Sequence, residues 1–498
     1  MNRRKFCQST LAVATVAALF PAHRALAAAL MEIPGDIDAI TAAGQQATLR
    51  QASVQELADS LRGPLLLPGN QAYEMARQVL NPAIDKRPAL IVQPSGVADV
   101  SSAVHFAREN NLVVAVKCGG HSTSGKSTCN GGMMIDLSRF RHVRVDPAEK
   151  LAYVSGGSLL GLMDHECMAH GLVTVAGTVS HTGVGGLTTG GGFGRLARRF
   201  GLALDNVRAL DVVSADGRLR HASKVENPDL YWGVRGAGGN FGVVTSFEFN
   251  LHAMDRQVIA GNLFYPMSRL RDLLAFYAEF SMNAPDELAT DLVAGYPSSG
   301  KDGFVLLALC YSGPATDADK IMAPVKSLGK PMLGEIKSVD YVALQRSGDN
   351  TAPRSTASYL KGGFPSEISP QLIDTLVEGM EPHPDRSVQI IFQQAGGAIS
   401  RVPAAATAFA HRYAQHDMIA TVSWKPDAPA AEHVRYIKRY WSALQPFTHG
   451  FYTNEADEDN ARMVNKNYQG NYSRLLGIKR RYDPGNIFRL NANIRPTA

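Results

Sequence analysis

Short apolar runs alternate with amphipathic segments over most of the chain. Ala89 to Val92 and Leu112 to Val116 are apolar runs of strand length, and Val97 to Arg108 between them carries apolar residues at helical spacing. Strand, helix and strand of this length predict a right-handed crossover that joins two parallel strands. A glycine-rich loop, Gly119 to Gly125, follows directly.

The rest of the chain shows two further patterns. From about Val143 to Phe249 it is dense in glycine and in short β-prone runs such as Leu210 to Ser214 and Val243 to Phe249. Between residues 255 and 450, amphipathic helices alternate with strands; examples are Met267 to Phe280, Phe304 to Tyr311, Ser387 to Gln393 and Ala431 to Leu444. This second pattern predicts a sheet with helices on one side.

The first 27 residues have the pattern of a removable export signal. Arg3, Arg4 and Lys5 precede an uncharged run from Ser9 to Phe20, and residues 25–27 have the small-x-small form of a cleavage site. The arginine pair resembles a twin-arginine signal, which exports folded proteins, and an ordinary secretory signal is the alternative. No later stretch reaches about 18 uninterrupted apolar residues. We therefore expect a periplasmic or secreted protein without stable membrane insertion.

Charge and cysteine content narrow the classes of partner. Lys and Arg number 50 against 45 Asp and Glu, and four of the basic residues fall in the predicted signal, so the remaining chain is nearly neutral. No basic cluster interleaved with aromatic residues appears, so nucleic-acid binding is not expected. The four cysteines beyond the signal lack metal-ligand spacing, and no metal site is expected. A disulfide between Cys118 and Cys129 and free or buried thiols stay open as alternatives.

Three glycine-rich motifs carry the candidate chemistry. The first, VKCGGHSTSG from Val116 to Gly125, ends a strand, and its glycines let backbone N–H groups converge on an anion such as a pyrophosphate. His121 lies inside this loop, where a purely structural histidine is not expected. The second, from Gly177 to Gly194, spaces apolar residues among its glycines. That spacing favours a packed loop facing a large flat ligand over a flexible linker.

The third motif, Glu226 to Phe249, superficially resembles a dinucleotide-binding fingerprint. Its glycines do not follow the G-x-G-x-x-G spacing, and a strand is predicted where the fingerprint requires a helix. A nicotinamide-binding Rossmann domain is therefore disfavoured.

Together with the C-terminal YDPGNIFRLNANI, these motifs resemble the berberine-bridge-enzyme-like branch of the FAD-linked oxidases, which have the vanillyl-alcohol-oxidase (PCMH-type) fold. The resemblance implies an α+β protein whose FAD-binding domain is built from both chain ends. A central substrate domain has an antiparallel sheet covered by helices. On this sequence the N-terminal part of the FAD domain would span residues 50–253, the substrate domain 254–450 and the returning C-terminal segment 451–498.

The resemblance also implies a set of FAD contacts. The family's histidine in the first loop bonds to the flavin 8α-methyl group, and His121 occupies that place. Doubly linked relatives carry a cysteine where this chain has Val179, so a single 8α-histidyl link is expected. The implied FAD-binding residues are Lys117, Gly119, Gly120, His121, Ser122, Gly125, Val179, Ser180, Gly183, Gly185, Gly186, Gly190, Gly191, Gly192, Gly242, Val244, Asn491 and Asn493.

The catalytic end of the chain departs from the family pattern. Many relatives have Y-x-N-Y/F before an acidic stretch, whereas residues 450–459 read GFYTNEADED, so Tyr452 is retained and Glu455 replaces the second aromatic residue. The catalytic base is then absent, shifted to Tyr452 or replaced by Glu455. Gln393 stands where sugar-oxidising relatives have an acidic residue. A glutamine can orient a hydroxyl but cannot remove its proton, and a solvent-facing strand residue is the alternative.

These features predict an exported flavoenzyme that oxidises a hydroxyl-bearing small molecule, such as a sugar, an oligosaccharide or another alcohol, by hydride transfer to flavin N5. The protein would position the substrate and supply the base, while FAD supplies the redox chemistry. Dioxygen or another acceptor would reoxidise the flavin. The alternative substrates are amines, alkaloid-like compounds and phenols, and the alternative class of function is a flavin-loaded binding protein without turnover.

Overall fold

The computed structural model describes residues 33–298, 302–350, 354–455 and 460–496. The predicted export signal, residues 1–27, lies outside these ranges. No helix within them is long and apolar enough to cross a membrane. Their four cysteines are all free, so the Cys118–Cys129 disulfide is not formed.

The N-terminal part of the chain forms a small mixed sheet. Its strands lie in the order Leu65–Leu66, Leu90–Val92, Met133–Asp136, Val114–Lys117; the first pair is antiparallel and the other pairs are parallel. The predicted helix between the two parallel strands is present as Val97–Glu109. The parallel arrangement is confirmed, but Met133–Asp136 lies between the two strands and was not predicted. A hairpin and a helix come before this sheet, Ile37–Ile40 with Gln46–Leu49 and then Gln51–Ser60. A short helix, Tyr73–Arg77, lies between its first two strands.

A five-stranded antiparallel sheet follows along the chain. Its order is Leu219–Ser223, Val207–Ser214, Gly242–Asn250, Leu151–Ser155, Val143–Asp146. The strand Gly242–Asn250 confirms that the third glycine motif leads into a strand. Helices and a short strand pair complete this region: Leu160–Met168, Leu172–Val173 with His252–Ala253, Val184–Gly190, Ala197–Phe200 and Pro228–Ala237. The short helix Val184–Gly190 inside the second glycine motif was not predicted.

The central region forms an eight-stranded antiparallel sheet. Its order is Lys337–Asp340, Gln257–Pro266, Phe304–Tyr311, Leu288–Tyr296, Arg386–Gln394, His416–Trp424, Ala357–Pro365, Thr448–His449. One face packs against amphipathic helices, which are Leu270–Asn283, Ala318–Lys326, Pro370–Gly379 and Ala430–Leu444. Shorter helices are Tyr341–Arg346 and Ala398–Arg401. The predicted antiparallel sheet with helices on one side is confirmed.

The second face of this sheet meets the glycine-rich region. Val258, Ala260 and Cys310 form one apolar cluster with Phe193 and Tyr452. Residues on this face of the strand Arg386–Gln394 alternate with core residues and are half-buried. Because side chains alternate across a strand, this face is available to form the wall of a site between the two regions.

The C-terminal segment packs back onto the five-stranded sheet. Its helices Ala461–Tyr468 and Tyr472–Tyr482 contribute to an apolar cluster with Trp232 and Phe247. Lys479 is fully buried, and its Nζ donates to the carbonyl oxygens of Asn240 and Phe488 and to the Asp483 carboxylate, at 2.7, 2.9 and 2.7 Å. This network fixes the turn that carries Asn491 and Asn493 toward the glycine motifs.

Candidate active site

The three glycine motifs and the C-terminal segment enclose a cavity of about 330 Å³. Of the residues implied by the family resemblance, the following line it: Gly119, Gly120, His121, Ser122, Gly183, Gly185, Gly186, Gly242, Val244, Tyr452, Glu455 and Asn491. The cavity wall does not include Lys117, Gly125, Val179, Ser180, Gly190, Gly191, Gly192, Gln393 or Asn493. The structure therefore brings most of the predicted residues together around one cavity and places the others outside its wall.

Lys117 supports the first loop from behind. Its Nζ donates a short hydrogen bond to the Ala76 carbonyl oxygen and lies 3.4 Å from the Asp136 carboxylate at the end of the neighbouring strand. Both side chains are almost completely buried, so this pair holds the strand ends together.

The first and second glycine loops touch through their backbones. A Cβ atom at Gly119 would lie 2.3 Å from the Gly183 backbone nitrogen, so no side chain fits at this contact. A side chain at Gly190 would likewise collide with the Asn454 side chain. Glycine is therefore needed at Gly119 because the backbone of the second loop comes too close for a Cβ, and at Gly190 because the Asn454 side chain fills the space. The contact brings His121 of the first loop against the second loop.

His121 forms its shortest contact with another histidine. Its Nε2 lies 2.6 Å from Nδ1 of His181, and its Nδ1 lies 3.3 Å from the Thr182 hydroxyl. Burial lowers the pKa of His121 to about 4, and the neighbouring His181 contributes to the decrease. The His121 ring is therefore neutral near neutral pH and keeps one nitrogen lone pair.

The predicted second-loop residues Val179 and Ser180 lie behind the histidines. Val179 lines a second cavity of about 280 Å³ that also reaches His121 and His181. The Ser180 backbone N–H donates to the Asp349 carboxylate at 3.0 Å, and the Ser180 hydroxyl donates to the same carboxylate. Val179 has no nucleophilic atom, as the sequence indicated.

Polar atoms around the main cavity lack partners. The hydroxyl oxygens of Ser127 and Thr128 and the Oδ1 atoms of Asn491 and Asn493 are buried without a hydrogen bond among the described residues. Buried polar groups are normally satisfied, and Ser127 and Asn491 line the main cavity, so their oxygens indicate a polar ligand there. Backbone N–H groups of glycine loops, free side-chain oxygens and a neutral histidine fit a dinucleotide cofactor such as FAD.

Tyr452 closes the cavity beside the glycines of the second loop. Its hydroxyl accepts a hydrogen bond from the Gly192 backbone N–H at 2.8 Å and a second from Asn454 Nδ2 at 2.7 Å. Both acceptor positions of the phenol oxygen are used, and its own proton is free to point elsewhere. Burial holds the pKa of Tyr452 well above its usual value. Tyr452 is therefore better suited to donate a hydrogen bond than to act as a base.

Two carboxyl groups meet next to Tyr452. Glu455 lies in the loop just after Tyr452, and Asp417 comes from the strand His416–Trp424 and is fully buried. Burial raises the pKa of Glu455 well above its usual value, and the charge of Asp417 raises it further. Burial also raises the pKa of Asp417, and the charge of Asp291 adds to this increase. Neighbouring buried carboxyl groups resist ionising together, so their surroundings favour keeping a proton on the pair.

The carboxyl groups in this cluster lack strong partners. Asp417 and Glu455 share a hydrogen bond with each other, and no other described residue donates to either oxygen of Asp417 or to Oε2 of Glu455. Asp291 accepts the Gln394 backbone N–H at 3.0 Å, and burial raises the pKa of Asp291 to about 6. No Lys or Arg in the described ranges forms an ion pair with any of the three. Such a cluster is suited to accept protons or to bind a polar substrate.

Gln393 lies directly opposite Asp417 in the sheet. The two are paired across the strands Arg386–Gln394 and His416–Trp424, so their side chains leave the same face. Gln393 is half-buried, whereas the neighbouring Gln394 points into the core and is fully hydrogen-bonded. Gln393 therefore lies on the same sheet face as Asp417, outside the lining of the main cavity.

The sequence did not single out Asp417, Asp291 or His181. His181 stands in the second glycine motif, and a histidine near the predicted flavin histidine was a usable signal. Asp417 and Asp291 are single acidic residues in apolar strands, and only the register of the eight-stranded sheet brings them to Glu455.

Comparisons with known proteins agree with this site. Family profiles described as FAD binding domain and as berberine and berberine like match residues 88–223 and 451–495. An FAD-linked oxidoreductase of Dictyostelium discoideum is 32% identical over 448 residues, which cover 89% of this chain and 97% of the relative. The (R)-6-hydroxynicotine oxidase of Paenarthrobacter nicotinovorans is 29% identical over a match that covers 88% of this chain and 97% of the relative.

Solved structures show the same architecture. The structure of 6-hydroxy-D-nicotine oxidase from Arthrobacter nicotinovorans matches with a TM-score of 0.80 at 28% identity, covering 88% of this chain and 98% of that chain. Xylooligosaccharide oxidase from Myceliophthora thermophila, in complex with xylobiose, matches with a TM-score of 0.79 at 26% identity. The match covers 90% of this chain and 100% of that chain. The predicted fold class and family are confirmed: the chain belongs to the berberine-bridge-enzyme-like family of FAD-linked oxidoreductases.

Proposed function

We propose that the protein holds FAD through one covalent bond to a ring nitrogen of His121 and oxidises a hydroxyl-bearing small molecule. The position of His121 supports the bond, because the neutral ring lies at the edge of the main cavity and keeps a lone pair. Val179, at the place of the second attachment residue in doubly linked relatives, has no atom for another bond. The residues that would hold FAD are the glycine loops, Ser127 and the C-terminal asparagines.

The pair of Asp417 and Glu455 carries the proposal. Bound FAD supplies the acceptor for a hydride at N5. The half-protonated carboxyl pair accepts the proton of the substrate hydroxyl, and its raised pKa suits proton transfer near neutral pH. The free proton of Tyr452 and the amide of Gln393 orient the substrate oxygen. Glu455, a candidate for the base on sequence grounds, is then one half of the base, and Asp417 is the other half. Tyr452 orients the substrate.

An amine substrate is the second candidate. Glu455 lines the main cavity, Asp417 lies beside Glu455, and Asp291 lies near Asp417; none of the three has an ion pair from the described residues, and a protonated amine would supply the missing positive charge. Among the relatives, one is named for the oxidation of 6-hydroxynicotine and others for the oxidation of xylooligosaccharides and chitooligosaccharides. Dioxygen or another acceptor would reoxidise the bound FAD.

Anaerobic reduction of the flavin tests both candidates. A panel of sugars, other alcohols and amines should bleach the flavin absorbance of the parent protein with at least one alcohol. Asp417→Asn and Glu455→Gln should slow this reduction by about 10² or more, because the base is lost. Tyr452→Phe should slow it less.

The exposed Asp427, in the loop after the strand that carries Asp417, provides the matched control. Asp427→Asn should reduce its flavin at the parental rate. Parental rates in both Asp417→Asn and Glu455→Gln would contradict the role of the carboxyl pair. If only amines bleach the flavin absorbance, the substrate is an amine and the proposal of an alcohol substrate is wrong.

We also propose that the protein is exported to the periplasm or beyond, folded and by the twin-arginine route. The paired Arg3 and Arg4 before an uncharged run support this route. A covalently held cofactor suits export, because FAD loaded in the cytoplasm cannot dissociate afterwards.

A further inference from the structure

The contact between His121 and His181 defines which nitrogen of His121 is free. His121 lines both the main cavity and the smaller cavity behind it, whereas His181 lines only the smaller one. His121 Nε2 faces His181 at 2.6 Å, and His121 Nδ1 faces the hydroxyl of Thr182, a residue that lines the main cavity. Nδ1 is therefore the ring nitrogen on the side of the main cavity.

The backbone on both sides of His181 is held rigidly. The carbonyl oxygens of Ser180 and Thr182 accept the backbone N–H groups of Gly161 and Leu160, at 2.8 and 2.9 Å. The Asp349 carboxylate holds both the backbone N–H and the hydroxyl of Ser180. His181 is thus fixed against His121 by contacts that do not involve its own ring. Such support is typical of a residue that must keep a reacting group in one orientation.

We propose that His181 is a positioning residue for flavin attachment, which orients His121 so that Nδ1 forms the bond to the flavin and which takes the proton from Nε2. The inference rests on the proposed link at His121. In a hydrogen bond between two imidazoles, one ring nitrogen donates and the other accepts. When His121 Nε2–H donates to His181 Nδ1, the lone pair of His121 is on Nδ1 and the Thr182 hydroxyl donates toward it.

The atoms and electrons of the attachment balance in this arrangement. A bond forms between His121 Nδ1 and the 8α carbon, and one C–H bond of the 8α-methyl group breaks. Two electrons enter the flavin ring together with two protons, one from the methyl group and one from His121 Nε2 by way of His181. Dioxygen then removes both electrons and both protons as hydrogen peroxide, and the oxidised flavin remains bonded to a neutral imidazole. Without His181, alkylation of Nδ1 would leave a buried imidazolium, which burial disfavours.

The first test needs no variant. The flavin-bearing peptide of the parent protein is isolated after proteolysis, and NMR identifies the substituted nitrogen of His121. We expect substitution at Nδ1. Substitution at Nε2 would overturn the inference and leave the covalent link itself standing, whereas release of all flavin on acid precipitation would overturn both.

The second test follows the rate of attachment when FAD is added to apoprotein prepared under flavin limitation. His181→Ala should attach FAD about 10²-fold more slowly, because both the hydrogen bond and the proton acceptor are lost. His181→Asn places an amide oxygen near the position of Nδ1, so it keeps a hydrogen-bond acceptor but cannot take the proton. We expect this variant to be intermediate in rate and to keep attachment at Nδ1.

Chemical rescue separates the proposed role from a general structural one. Added imidazole should accelerate attachment in His181→Ala and leave the parent protein unchanged. His170→Ala is the matched control, since His170 is exposed at the end of a helix of the same domain, and it should attach FAD at the parental rate. Attachment by His181→Ala at the parental rate, or a rate unaffected by imidazole, would overturn the inference.

Discussion

Asp417, part of the proposed base, shows how burial changes the chemistry of a single residue. The side chain is fully buried, its oxygens receive no hydrogen bond from any described residue other than Glu455, and burial raises its pKa. An ionised carboxylate in such surroundings costs folding free energy unless a ligand compensates. The residue that we propose as proton acceptor is therefore also expected to lower the stability of the folded protein.

This cost predicts a pH dependence of stability. A carboxyl group whose pKa is raised in the folded protein contributes stability below its unfolded pKa, about 3.9 for Asp, and this contribution is lost as the pH rises through the folded pKa. The free energy of unfolding of the parent should fall above about pH 4, by at most about 1.4 kcal/mol per pH unit for one group. The free energy of unfolding of Asp417→Asn should fall less steeply with pH. Urea unfolding of both proteins at a series of pH values above about 4 measures the two slopes. Equal slopes for the two proteins would contradict the buried, pKa-shifted state of Asp417.

Asp417 also shows why part of the candidate site could not be predicted from the sequence. Tyr452 and Glu455 were identified because they follow a motif that is local in the chain. Asp417 lies in a separate strand, and its approach to Glu455 depends on strand pairing between distant segments. A local pattern of apolar residues predicts a strand but not its neighbours or register.

At the scale of elements, apolar periodicity predicted some of the strands and helices of residues 88–250 and of the central sheet and left the others unassigned. The strand Phe304–Tyr311 has the predicted bounds, and the helix Ala430–Leu444 begins one residue earlier than predicted. The strand Met133–Asp136 was missed because its apolar run is short and follows a glycine-rich loop. The hairpin Ile37–Ile40 with Gln46–Leu49 was missed because its residues are mixed in polarity.

The C-terminal turn depends on the buried ion pair of Lys479 and Asp483. Asp483 also accepts the backbone N–H groups of Ile487 and Phe488, at 2.8 and 2.9 Å. Lys479→Met should lower the free energy of unfolding by about 3–5 kcal/mol, because a buried carboxylate loses its charged partner. Thermal and urea unfolding measure the loss. The exposed Lys466 lies in the adjacent helix, and Lys466→Met should be near neutral; equal effects of both substitutions would contradict the argument.

At the scale of the whole molecule, hydrogen bonds hold the glycine-rich region and the central region together around the main cavity. Arg198, from the glycine-rich region, donates to the carbonyl oxygens of Leu288, Ala395 and Ala284 of the central region, at 3.1, 2.6 and 2.7 Å. Asn81 forms two hydrogen bonds to the backbone of Ser358. Buried and satisfied contacts of this kind fix the eight-stranded sheet over the cavity. The carboxyl pair therefore keeps its place relative to the first loop.

Export concerns the complete protein and its cofactor. Replacing both Arg3 and Arg4 by Lys should leave the precursor in the cytoplasm, because the twin-arginine route requires the arginine pair. Fractionation of cells that produce the parent and the variant measures the distribution. Normal export of the double variant would contradict the twin-arginine route and favour the ordinary secretory pathway.

The most direct test of the account is the location of the flavin after denaturation. The parent protein is precipitated with acid, washed and digested, and its flavin-bearing peptides are identified by mass spectrometry. We expect the precipitate to stay yellow and one flavin peptide, containing His121, to be present, while His121→Ala releases its FAD. Loss of all flavin from the parent protein, or a second flavin peptide containing Cys118 or Cys167, would contradict the single bond at His121.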